Sequence, residues 1–127
     1  MSTSRSTWKR RERDAASEFG TNRQPGSGSM GRRDQTRSDS VHPRVFIECK
    51  LRQSHSAITL WDEVADKAND EHKTPIVCLM EKSRPGRWWL LRSPDIRALV
   101  VEWLAAKSEE YVRDVLGSIA KVRSKEE

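Results

Sequence analysis

The sequence predicts an α/β fold, with a mixed central β-sheet flanked by α-helices and a C-terminal helical extension. Three observations predict it. Apolar, β-rich runs of strand length fall at residues 45–51, 75–80 and 87–92. A helix-period stripe of Ala57, Leu60, Trp61, Val64, Ala65 and Ala68 separates the first run from the second. Beyond residue 93, apolar residues continue at helical spacing as far as Val122. The 127 residues suit one domain, large enough to bury a core without a disulfide or zinc staple.

The chain opens on a small polar tail, residues 1–7, expected to be disordered. A first helix is predicted over Trp8–Phe19. At about 100° per residue Trp8, Ala15, Ala16 and Phe19 share one stripe, and Gly20 is a natural helix stop. Glu12 falls in the middle of that stripe. A carboxylate on a buried face needs a partner, a metal or water, and an ion pair with a nearby arginine is the simplest provision. Next comes a glycine- and serine-rich loop from Gln24 to Asp34, with Arg23, Arg32, Arg33 and Arg37 in and around it. Such a loop serves either as a mobile connection or as a set of backbone amides and arginines for phosphate contacts.

His42-Pro43 reads as the turn into a strand over Val45–Leu51. Alternation puts Phe46, Glu48 and Lys50 on one face and Val45, Ile47, Cys49 and Leu51 on the other. A two-residue hairpin at His42-Pro43 would set Asp39 opposite Phe46, diagonally next to Glu48; a shift of one residue would undo that placement. Ser56 is the expected cap of a second helix, Ala57–Glu71. Pro75–Met80 reads as a buried central strand, and Glu81–Gly86 as a turn. Arg87–Arg92 is a further strand whose Trp88 and Trp89 point opposite ways, one of them into the core. Ser93 and Pro94 open the C-terminal helical region. Its two stripes, Ile96 to Leu104 and Tyr111 to Val122, form one helix or two. They offer more apolar surface than a small domain needs, so they serve a dimer face or pack back on the sheet.

Charge is unevenly placed. Residues 1–50 hold 11 basic and 6 acidic side chains, whereas the remainder holds equal numbers, so the whole excess of +5 lies in the first part of the chain. That pattern favours a local anionic partner over a uniformly charged surface. No run approaches the length of a membrane span, and the N-terminus has no apolar stretch of a secretory signal. Cys49 and Cys78 lie apart in apolar runs and read as buried thiols of a cytoplasmic protein. No phosphate-binding G-x-x-x-x-G-K-[ST] stretch supports a nucleotide cofactor, and His42, His55 and His72 are too scattered for a local metal motif.

The chemistry lies in Asp39 followed by Glu48-Cys49-Lys50. Two carboxylates on one sheet face make a hard-oxygen site for Mg²⁺, with Mn²⁺ as a substitute. A metal there activates water and offsets charge on a phosphodiester. Lys50 can orient that water, the carbonyl of Cys49 can ligate, and Glu12 can supply a third carboxylate. Taken alone an E-x-K pattern is common on solvated strand faces.

The order of parts is more specific. An inward Glu12 on a first helix, the stretch Arg23–Ser29, Asp39, then Glu48-Cys49-Lys50 on a strand resembles the PD-(D/E)XK nuclease superfamily. Within it the pattern is similar to archaeal-type Holliday junction resolvases and related small phage nucleases. The resemblance covers residues 8–92 as a restriction-endonuclease-like core and leaves residues 93–127 as a helical segment, a candidate dimerisation element. It implies Mg²⁺-dependent DNA cleavage, with Glu12, Asp39 and Glu48 binding metal and Lys50 assisting catalysis. Ser27 and Ser29 would contact DNA, with Arg23, Arg32, Arg33 and Arg37 neutralising its backbone. A homodimer acting on branched DNA such as four-way junctions, in a prokaryotic or phage-infected cell, completes the implied picture. Ser38 stands where the family often has proline, and the Asp-to-Glu interval is short; a longer hairpin would let Asp34 compete with Asp39. Nicking or restriction-type cleavage, a DNA-binding module without cleavage, and a plain interaction protein remain as alternatives.

Overall fold

The computed structural model of the chain describes residues 4–25 and 37–126. They contain four α-helices and one two-stranded antiparallel sheet, so the content is mixed α/β. The chain divides into two compact units, Met1–Gln53 and Ser54–Glu127. The boundary falls inside the stretch 8–92 expected to form a single core. No helix among the described residues is long and apolar enough to cross a membrane.

In the first unit, α1 spans Ser4–Glu18. It starts four residues before the expected Trp8, so residues 4–7 are helical and not part of a tail. Its end is closed by two backbone bonds: Gly20 N–H donates to Ser17 at 3.0 Å and Thr21 N–H to Ala16 at 3.1 Å. This double closure needs a left-handed residue, and Gly20 supplies it at φ +67°. Ala16 and Glu12 are buried as the stripe predicts. Phe19 is 52% exposed, against expectation, because it lies past the last helical turn and leaves the stripe.

The chain then runs three segments side by side. Gln24 N–H donates to Asp39 O at 2.9 Å, and Val41 N–H to Asn22 O at 3.0 Å, around a bridge between Arg23 and Ser40. On the other flank Asp39 N–H donates to Ile47 O at 2.7 Å. Asp39 therefore meets Ile47 and not Phe46, a shift of one residue from the expected hairpin.

The Val45–Leu51 run keeps its predicted alternation over residues 45–50, but Leu51, expected on the inner face, is 40% exposed. Val45, Ile47 and Cys49 are half-buried, while Phe46, Glu48 and Lys50 are exposed. It is nevertheless not a strand, because side chains occupy the inward donors. Val45 N–H bonds to His42 Nδ1 at 3.0 Å, Ile47 N–H to Ser38 Oγ at 2.8 Å, and Cys49 N–H to Asp39 Oδ2 at 2.6 Å. Polar side chains close to the backbone compete in this way with a ladder.

In the second unit, α2 spans Ser56–Asp70 and begins on Ser56 itself, with His55 at the cap position. Its end mirrors that of α1: His72 N–H donates to Asn69 and Lys73 N–H to Ala68. Here the left-handed residue is His72, at φ +56°. The hairpin of β1 (Val77–Glu81) and β2 (Arg84–Leu90) follows, with Cys78 opposite Trp89 and Leu79 opposite Trp88. Pro75–Met80 was expected to be a central strand; among the described residues its only ladder partner is β2. The turn is shorter than expected, closing at Lys82-Ser83, and Gly86 falls inside β2 at φ +116°. A Cβ there would also come within 3.6 Å of the Trp88 ring. Both tryptophans are exposed, Trp88 at 42% and Trp89 at 57%, so neither is the expected core residue. The Arg84 guanidinium lies 4.7 Å over the Trp88 ring.

A 3-10 turn, Ser93–Asp95, leads into α3 (Ile96–Ala105), and α4 covers Glu109–Glu126. The C-terminal stripes thus form two helices, broken at residues 106–108, Ala-Lys-Ser. Cys49 and Cys78 are free thiols, half-buried.

Candidate active site

The groups expected to carry chemistry and described by the structure all belong to residues 8–50. α1 brings Glu12 inward, where it is 1% exposed. An isolated carboxylate at that depth is costly, and two donors answer it. Arg23 Nε donates to Oε2 at 2.6 Å, and Trp8 Nε1 donates to Oε1. The arginine partner is thus Arg23, whose Nε is turned inward to Glu12.

Asp39 is 7% exposed. Its carboxylate accepts the Cys49 N–H, while its own N–H and C=O hold the flanking segments. Ser38 packs three bonds into one hydroxyl. It donates to Ile47 O at 3.1 Å and accepts from the N–H groups of Ile47 and Ser40 at 2.8 and 3.2 Å. Gln24, Ser38 and Ser40 are buried as well as Glu12 and Asp39. His42 shapes the approach to Glu48, its Nδ1 accepting from the N–H groups of Arg44 and Val45, both at 3.0 Å. The chain bends at Pro43-Arg44, one residue past the turn expected at His42-Pro43.

Glu48 and Lys50 leave the outer face of the same extended segment. They pair at 3.0 Å with side chains 47% and 58% exposed. Burial pushes the Cys49 thiol above its ordinary range, and the negative charges of Asp39, Glu12 and Glu48 push it the same way. All three expected carboxylates therefore act on one residue, although Glu12 lies far from the other two in sequence.

Asp39 and Glu48 are carboxylates, the donor chemistry that a hard divalent cation takes. Glu12 is different, because both its oxygens already accept hydrogen bonds. The Cys49 carbonyl, expected as a ligand, belongs to the peptide run whose N–H is tied to Asp39. Among the described residues no three His, Cys, Asp or Glu side chains are grouped to hold a metal ion. Ser27, Ser29, Arg32, Arg33 and Asp34 lie outside the described residues. Arg37 is described, and it is exposed.

Three contributors were not singled out for these roles from sequence: Trp8 beside Glu12, and Ser38 and His42 as backbone acceptors. The Ser-Asp-Ser run ahead of an extended segment was the available signal, since these residues favour side-chain-to-backbone bonds. No family model matches the chain, and no match is found among curated proteins or solved structures.

Proposed function

We propose that the chain is a Mg²⁺-dependent DNA endonuclease acting by phosphodiester hydrolysis, with branched DNA such as four-way junctions as its preferred substrate. The fold that goes with this reading is a restriction-endonuclease-like core over residues 8–92. The observation that carries it is the convergence of Glu12, Asp39 and Glu48 on Cys49, with Lys50 Nζ 3.0 Å from Glu48. The basic excess of residues 1–50 supports an anionic substrate at the same segment.

Asp39 and Glu48 would hold the cation, which supplies activation of water and compensation of charge on the phosphodiester. Lys50 presents an exposed ammonium beside Glu48 and can orient a water or donate to a phosphate oxygen. Asp39 is aimed by the Cys49 N–H, and Glu48 is carried on the outward face set by Val45, Ile47 and Cys49. Glu12 and Arg23, as a positioning pair, tie α1 to the Asn22–Gln24 stretch that pairs with residues 39–41. Arg37 and Arg44 are exposed and would neutralise the DNA backbone.

The test is incubation with supercoiled plasmid, linear duplex and a synthetic four-way junction, in Mg²⁺ or in EDTA. Cleavage in Mg²⁺ that is lost in EDTA, in Glu48→Ala and in Lys50→Ala is the expected result. Cleavage that survives both substitutions defeats the site. Junction binding without cleavage under Mg²⁺ or Mn²⁺ replaces the nuclease by a DNA-binding module, and absence of binding at low salt leaves an interaction protein.

A further inference from the structure

The end of α1 borders a polar cleft that the site around Asp39 does not use. It measures about 350 Å³ and is lined by Arg13, Ser17, Thr21, Asn22, Arg23 and Pro25. That volume lies within the range of small-molecule sites, roughly 300–1,000 Å³. Every lining side chain except Pro25 can donate a hydrogen bond, and no carboxylate is among them. Among the described residues, the side chains of Arg13, Ser17, Thr21 and Asn22 are committed to no hydrogen bond or ion pair. Arg23 differs, because Glu12 holds its Nε at 2.6 Å. That pair orients the guanidinium and leaves its two Nη groups as further donors.

The surroundings suit an anion. At about 100° per residue, Lys9 and Arg10 lie on either side of Arg13 one turn back along α1, whereas Asp14 and Glu18 lie further round. A bare helix C-terminus disfavours negative charge, but the last carbonyls here are occupied. Ala16 O accepts from the N–H groups of Phe19 and Thr21, both at 3.1 Å, and Ser17 O from Gly20 at 3.0 Å. The donors come from three stretches: the last turns of α1, the exit after Gly20, and the bridge at Arg23.

We propose that this cleft binds a phosphomonoester, carried at the end of a DNA strand. A terminal phosphate has about −1.5 to −2 charges at pH 7 and three free oxygens. A phosphodiester within a strand has one charge and two free oxygens. Two guanidiniums with two hydroxyls and an amide match the terminal group. The remaining volume takes the attached sugar, and Lys9 and Arg10 meet the next phosphates of the same strand. Hydrolysis of a phosphodiester leaves a terminal phosphate on one of the two new ends, so the cleft holds a product-like or nicked end. DNA as the bearer rests on the cleavage reading; the phosphomonoester does not.

Methyl phosphate, added to the full chain in EDTA, is expected to shift the amide resonances of residues 17–23, and dimethyl phosphate at the same concentration to leave them in place. Binding should weaken below about pH 6, where the dianion takes up a proton. Arg13→Gln should weaken it roughly tenfold or more, and Ser17→Ala by less. Both positions are exposed on α1, and circular dichroism checks that the helix persists. A duplex bearing a terminal phosphate should displace methyl phosphate, and the same duplex without it should not. An equal response to the two small phosphates overturns the site, as does binding that survives Arg13→Gln in folded protein. Displacement by both duplexes alike, or by neither, overturns the strand end as bearer. Methyl phosphate binding without cleavage defeats the nuclease and keeps the cleft, whereas cleavage without that binding keeps the nuclease and removes the cleft.

Discussion

In the unit of residues 1–53 the buried groups are mostly polar: Glu12, Gln24, Ser38, Asp39 and Ser40, with Ala16 as the apolar exception. In residues 54–127 the buried core among the described residues is Val77 alone, while Trp89, Val101, Leu116 and other large apolar side chains remain exposed. The first unit is organised by directional bonds from side chains to backbone, and the second by helix and hairpin formation with its apolar surface left over. The difference teaches where each is vulnerable. A directional bond is lost whole when one atom is removed, and the partner left behind is buried without compensation. Apolar contact is forgiving of detail but needs area.

Four substitutions would break or sharpen this contrast. Glu12→Ala should have the largest effect, about 3–5 kcal/mol of lost stability, because it strands the Arg23 guanidinium in a buried pair. Urea unfolding measures it; a loss below about 1 kcal/mol would mean that the ion pair does not organise the first unit. Ser38→Ala comes next, at about 1–3 kcal/mol, since one hydroxyl serves three backbone groups. Its loss should be read together with the melting of residues 45–49, for instance by amide chemical shifts. His72→Gly goes the other way. Replacing a left-handed histidine at the end of α2 should stabilise the chain by about 0.5–1 kcal/mol, visible as a raised Tm. A lowered Tm would show that the imidazole has a packing role there.

The smallest effect concerns Cys49. Its thiol is raised, so the folded state favours the neutral form. Below the ordinary thiol range both states are protonated and the group makes no difference. As pH rises through that range the unfolded thiol ionises first, and stability falls. Comparing urea midpoints at about pH 7 and about pH 10, wild type should lose more than Cys49→Ala. An equal loss would mean that neither burial nor the acids around Cys49 raise its thiol.

Much of the fold was legible because periodicity survives context. The helices over 8–19, 57–71 and beyond 93 were placed by apolar spacing, and the structure moves their ends by a few residues. The alternation of 45–50 was equally legible. What pattern could not supply was the acceptor for each inward N–H, since an extended run reads the same whether a strand or a set of side chains faces it. The site divides in the same way. Glu12 and its arginine partner followed from a charge placed on an apolar stripe. The register of Asp39 did not, because it depends on whether Ser38 bonds locally, a choice of about one hydrogen bond in energy.

The three side-chain acceptors along residues 45–49 have a further consequence for solvent exchange. In a β-ladder, neighbouring amides are protected together and open together. Here Val45, Ile47 and Cys49 rely on three separate residues, His42, Ser38 and Asp39. Each amide can be released by itself, so deuterium should enter this segment one site at a time, with a different substitution governing each site.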